Sequence, residues 1–243
     1  MQISRWLFFV SVPILLLACA SRGRADLAVT QKIVGAGPEM EVTTKCKGEH
    51  LRLDVAPGTS MVVDNHSGEI ISLMHTQRQY LRLPAEVAQA AIENLKRQQA
   101  GAGLSTPEGG ARPQLKPTGN KAAISGYPAE EYTATIANGI VAHLWLTTAL
   151  PNYQAALQQF AAAMEHGPLA AQSRGMGMNM DIASLPGFPL RTILEVAPGM
   201  TVNVTTTAVS TAPLPDSDFT VPADYQEVKV PNLTPTLPVA PGR

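Results

Sequence analysis

The chain has only two cysteines in 243 residues, Cys19 and Cys46, which leaves no disulfide framework to hold it together. Its fold must rest on an apolar core, and 45% hydrophobic residues over that length are enough to build one. Basic residues are not clustered. With 18 Lys and Arg against 19 Asp and Glu, the chain lacks the electrostatic footprint of a nucleic-acid binder. After the first apolar run, no segment approaches the ~18 consecutive apolar residues of a membrane-spanning helix. Familiar catalytic motifs are missing too: there is no G-x-S-x-G, H-E-x-x-H, C-x-x-C or G-x-x-x-x-G-K-[ST]. The five histidines, His50, His66, His75, His143 and His166, are dispersed. Glu130 and Glu131 are neighbours, so on a strand they point to opposite faces and cannot act as a carboxylate pair. These absences favour a binding or carrier module without a cofactor over an enzyme.

What is present begins with an address. Arg5, an apolar run from Trp6 to Ala18 and then small residues make the three-part pattern of an export signal. The run ends in Leu15-Leu16-Leu17-Ala18 directly before Cys19. That arrangement fits a lipoprotein signal over residues 1–18, with Cys19 as the lipid attachment point and Ala20 to Ala25 as a tether. Gly23-Arg24-Ala25 offers a competing ordinary cut, which would end the signal at residue 25. Arg22 and Arg24 sit where such cleavage regions are usually uncharged, so lipidation of Cys19 is the favoured reading. Several acyl chains on one cysteine hold a protein firmly to a membrane. Ala20 and Ser21 supply no acidic residue after Cys19, which points to the outer membrane. Either cut gives an extracytoplasmic, periplasm-facing protein.

From Leu27 onward, short alternating segments separated by turn residues read as consecutive antiparallel strands. They are "LAVTQKIV" (27–34), "EMEVTTKC" (39–46), "HLRLDV" (50–55), "SMVVD", "EIISLMH" and "RQYLRL". Pro84 opens a helix that places Val87, Ala88, Ala91, Ile92 and Leu95 on one face, with Gly101 as its stop. Residues 100–119, rich in Gly and Pro and without periodicity, read as a mobile loop inside a single domain spanning 26–231. Three strands follow within 121–148, with Asn138-Gly139 as a hairpin turn. Pro151-Asn152 then opens a second helix whose Tyr153, Leu157, Phe160 and Met164 share a stripe. "PLRTILEV", "MTVNVTTTAV", a Pro-rich link and "DYQEVKV" complete the pattern, and the Pro-rich tail 232–243 reads as disordered. The sum is an α+β fold, a curved antiparallel sheet of about 11–12 strands with two inserted helices covering an apolar face.

"LAVTQKI", "LRLDV", "EIISLMHTQRQYLRL", "PTGNKAAISGYPAEEY", "LWLTTALP" and "FTVPADYQEV", in that order, resemble the family called domain of unknown function 4412, over Leu27 to Val230. The most specific parts are Thr118 to Tyr132 and Phe219 to Tyr225. That family is similar in outline to the outer-membrane lipoprotein chaperone and receptor (LolA/LolB-like) superfamily. The resemblance implies a half-barrel sheet closed by helices over an apolar cavity. It carries no catalytic residue, because the family has no established activity.

Two candidate sites follow. The second-helix stripe Tyr153, Leu157, Phe160 and Met164 faces the strand alternation Ile140, Ala142, Leu144 and Leu146, and an apolar ligand cavity between them would take an acyl chain or a lipoprotein segment. "GMGMNM" places Met176, Met178 and Met180 at alternate positions, three soft thioethers of the kind that suit Cu(I). The alternatives are a Met-rich periplasmic copper-binding protein and a structural or protein-interaction domain of the envelope. His143, beside Trp145 on one strand face, reads as a half-exposed strand histidine with no site role.

Overall fold

In the computed structural model, which describes residues 26–35, 38–55, 58–101, 114–135, 141–165, 182–197 and 199–229, the alternating segments pair as the pattern requires. Strands β1 (Leu27–Val34), β2 (Met40–Lys47), β3 (His50–Val55), β4 (Thr59–Asp64), β5 (Ile70–Met74) and β6 (Gln79–Leu83) form an antiparallel meander. A second antiparallel run contains β7 (Lys116–Ile124), β8 (Tyr127–Thr135), β9 (Val141–Thr147), β10 (Phe188–Ala197) and β11 (Met200–Ser210). The first strand joins the two runs by pairing with β11. With the two-residue β12 (Gln226–Glu227), the result is one curved, unclosed sheet of order β12-β6-β5-β4-β3-β2-β1-β11-β10-β9-β8-β7. Helices α1 (Ala85–Gly101) and α2 (Tyr153–Glu165) follow β6 and β9. The sheet-dominated α+β expectation holds.

Register explains where the core sits. Leu27, Cys46, Leu51, Val63, Ile70 and Leu83 are successive cross-strand partners from β1 to β6, so one face carries an unbroken apolar row. Ala88 of α1 and Ala156, Leu157 and Phe160 of α2 belong to the same buried cluster as that row. Both helices enter from this end because the C-termini of β6 and β9 lie there. The far side of β3 to β5 carries a second, smaller core of Val62, Leu73 and Phe219.

Three segments depart from expectation. Lys116 to Gly119, read as loop, belong to β7, where Lys116 faces Thr133 and Pro117 faces Tyr132. Proline and glycine are tolerated there because β7 is an edge strand with an irregular register between Pro117 and Lys121. The last strand is shorter than "DYQEVKV" suggested and runs parallel to β6, not antiparallel. Finally, the Pro-rich link is not a spacer. Its Asp216–Phe219 turn is a 3₁₀ helix that seats the buried Phe219 on the second core. Residues 102–113, the Asn138-Gly139 turn and the tail lie outside the described residues.

Candidate functional site

Strand alternation gives the helix-bearing face two halves. At the Leu27 end it is filled: Leu144, Leu146, Leu157 and Phe160 are only 2–6% exposed and share one cluster with Phe188 and Leu190. Toward the other end of the strands the same face is less fully buried. Gln31 faces Val42 and Thr206, Ile33 faces Met40 and Val204, Val42 faces Val55, and Met61 faces Leu53. Alternation adds Met74 and Leu81 from β5 and β6, and Val202 and Met200 from β11. Ile33, Val42, Val55, Met61, Met74, Leu81, Val202 and Val204 are each partly exposed, while Met40 and Met200 reach 40% and 53%. Leu53 and Leu194 form the buried floor. Four of the nine methionines therefore lie on one half of one face. Unbranched thioethers repack around differently shaped apolar partners, which is the chemistry of an adaptable apolar surface.

Over β2 to β6 the opposite face is covered by the C-terminal strap, residues 211–229. Lys45 Nζ meets Asp218 Oδ2 at 3.0 Å, Lys47 Nζ meets Asp216 at 2.7 Å, and Arg52 Nη1 donates to the Asp218 carbonyl at 2.8 Å. Beneath the strap, Arg52 Nε donates to Asp54 Oδ1 at 2.6 Å and the Ser60 hydroxyl also donates to Asp54. His75 bridges the two layers, with Nε2 at 2.6 Å from Ser60 Oγ and Nδ1 at 2.6 Å from the Tyr225 hydroxyl. Because Ser60 gives its proton to Asp54, the consistent tautomer has His75 Nε2–H donating to Ser60 and Tyr225 donating to Nδ1. Ser60 is 2% exposed. The group is a clasp on the strap, and its serine faces no solvent-filled space.

A second polar cluster lies across β7 to β10. The buried Glu131 carboxylate accepts from Asn120 Nδ2 at 2.7 Å, Thr118 Oγ1 at 2.8 Å and His143 Nδ1 at 2.9 Å. The Asn120 bond is foremost in holding its pKa below the ordinary glutamate range, against the opposing effect of burial. Glu130 instead points outward to Lys121 at 2.7 Å, so the two neighbours do face opposite ways. A depressed folded-state pKa contributes stability above the unfolded value, and that contribution disappears as the pH falls through the folded one. Glu131→Gln should therefore destabilise the protein at neutral pH and flatten the acid limb of its stability profile, as read by urea unfolding at a series of pH values.

Of the residues singled out from sequence, Leu144, Leu146, Leu157 and Phe160 come together, but in packed core. Tyr153 is partly exposed at the start of α2, and the Met164 side chain lies outside the described residues, as do Ile140, Cys19, Met176, Met178 and Met180. Cys46 is a free thiol whose pKa is pushed up to about 12 by burial, so it is unreactive. The open half of the helix-bearing face was not singled out, although its residues were visible as one parity of each strand.

The profile of a domain of unknown function, DUF4412, matches residues 23–225. This chain belongs to the DUF4412 family. No curated protein matches it. Among solved structures, the chain is similar to MucB in complex with MucA(peri), at 14% identity and TM-score 0.40, over 85% of this chain and 56% of that one. For MucB alone the values are 12%, 0.42, 82% and 58%. For the Pseudomonas aeruginosa MucA/MucB complex they are 14%, 0.44, 84% and 58%. This DUF4412 chain thus spans less than two thirds of the length of those chains. Among the described residues, no helix is long and apolar enough to cross a membrane.

Proposed function

We propose that this DUF4412 protein is an exported, non-enzymatic binding module that holds an apolar ligand, an acyl chain or the lipidated segment of a protein, on the open half of its helix-bearing face. The observation that carries this reading is the set of partly exposed apolar side chains toward the far end of the strands on the helix-bearing face, with Met40, Met61, Met74 and Met200 among them. It is compatible with a LolA-like half-barrel, but the ligand surface is displaced along the sheet from the α2 stripe. The N-terminal export pattern supports an extracytoplasmic setting, and Cys19 would tether the module to a membrane. Each buried methylene of an acyl chain contributes ~0.8 kcal/mol, so eight carbons supply about 6 kcal/mol before entropy costs. That is enough for reversible carriage.

In solution, a long-chain fatty acid should displace a fluorescent fatty-acid probe saturably from the delipidated protein. Met61→Glu should weaken this displacement by at least ~10-fold by setting a carboxylate among apolar groups. Met61→Leu should preserve it, because the volume is kept. Absence of saturable displacement would leave an envelope interaction domain without an apolar ligand.

A further inference from the structure

The Glu131 cluster holds a feature that apolar binding does not use. His143 Nδ1 donates to Glu131 Oε1 at 2.9 Å, which fixes the ring and leaves Nε2 as the atom carrying a lone pair. Nε2 stands 3.7 Å from Glu195 Oε1, too far for a hydrogen bond. In the neutral ring, Nε2 and Glu195 Oε1 are two acceptor atoms facing each other. His143 is 30% and Glu195 55% exposed, so the gap is open to solvent, whereas Glu131 at 11% is sheltered. Thr118 and Asn120 occupy the second oxygen of Glu131 from the neighbouring strand, so the carboxylate that orients the imidazole is itself held.

We propose that His143 Nε2 and Glu195 Oε1 form an open two-residue site for a divalent transition metal of the zinc class, with Glu131 as its positioning residue. Ligand atoms ~2.0–2.2 Å from zinc at a tetrahedral angle lie roughly 3.4 Å apart, so a small rotation of the exposed Glu195 side chain closes the bite. A carboxylate on the far nitrogen is the usual partner of a metal-binding imidazole, fixing its tautomer and raising its basicity. Among the described residues, no group of three His, Cys, Asp or Glu side chains is placed to hold a metal ion, and Glu131 is turned to the far nitrogen of His143, so water or an oxygen ligand fills the remaining positions. The site lies on strands β8 to β10, on the face opposite the methionines, and stands independently of the apolar-ligand reading.

The test is a zinc titration of the full chain by calorimetry and against a chelating dye. One saturable equivalent is expected. His143→Ala should abolish it, Glu195→Gln should weaken it by at least ~10-fold, and Glu131→Gln should weaken it by about 10- to 100-fold. Cu(II) bound at the same place should show imidazole nitrogen hyperfine coupling that His143→Ala removes. Glu195→Gln is an exposed, isosteric change, so the comparison survives even if the other variants fold poorly. No saturable zinc binding, or binding unchanged by His143→Ala or by Glu195→Gln, overturns the assignment.

Discussion

A chain terminated after Ala212 should lose most of its stability, although it removes only what the sequence presents as a Pro-rich link, one short final strand and a tail. Phe219 is 8% exposed against Val62 and Leu73, and Leu214, Val221 and Tyr225 pack around the same cluster. Deleting one buried phenylalanine costs about 3–5 kcal/mol. The truncation also strips Lys45, Lys47, Arg52 and His75 of their strap partners, at a net cost of about 0.5–1.5 kcal/mol for each hydrogen bond lost. Domains of this size are stable by roughly 5–15 kcal/mol, so the truncated chain should be largely unfolded at 37 °C. Circular dichroism with urea titration checks this, and Phe219→Ala alone should show a loss of about 3–4 kcal/mol. A truncated chain with an unchanged midpoint would mean that the strap merely rests on the sheet.

The strap shows why part of the fold was hidden from sequence reading. The strands were legible because a period of two is imposed by the pleat, and β1 and β3 begin and end at the residues where the alternation does. A 3₁₀ turn flanked by extended chain imposes no period, so Leu214, Phe219 and Val221 carried no alternation to mark them as core, although Phe219 to Tyr225 stood out in the family resemblance. The β1 to β11 pairing was equally hidden, since partners such as Val29 and Val209 are brought together only by the whole sheet. The sites divide in the same way. Opposite orientation of Glu130 and Glu131 follows from one strand alone, but the meeting of Glu131, His143 and Glu195 requires the registers of three. Which half of the apolar face remains open depends on where the helices enter, and alternation is blind to that.

Gly35→Ala should be the most damaging of the small-to-small substitutions. Gly35 has φ +115°, a conformation that residues with a β-carbon rarely adopt, and an added Cβ would lie 2.0 Å from the Thr201 carbonyl oxygen. The two strands bordering this point, β1 and β11, are the junction between the two halves of the sheet, so the backbone cannot move aside without disturbing Val34 opposite Asn203. Strained φ and forced overpacking each cost about 1–3 kcal/mol, which gives an expected loss of ~2–6 kcal/mol. At ~2–4 °C per kcal/mol for a domain of this length, the melting midpoint should fall by roughly 4–24 °C. Gly48→Ala serves as the comparison. It also has positive φ, at +58°, but no neighbour within 4 Å of an added Cβ, so it should lose markedly less. Equal losses at the two positions would show that steric contact with Thr201 contributes nothing.

The central claim is that apolar ligands occupy the half of the helix-bearing face that α1 and α2 leave open. Photo-crosslinking with a diazirine-bearing fatty acid, followed by peptide mapping of the labelled full chain, reports the location of the ligand directly. The label is expected on peptides containing Met40, Met61, Met74 or Met200, competed away by unlabelled fatty acid and diminished in Met61→Glu. Competable label confined to the α2 stripe around Leu157 and Phe160, or no competable label at all, would contradict it.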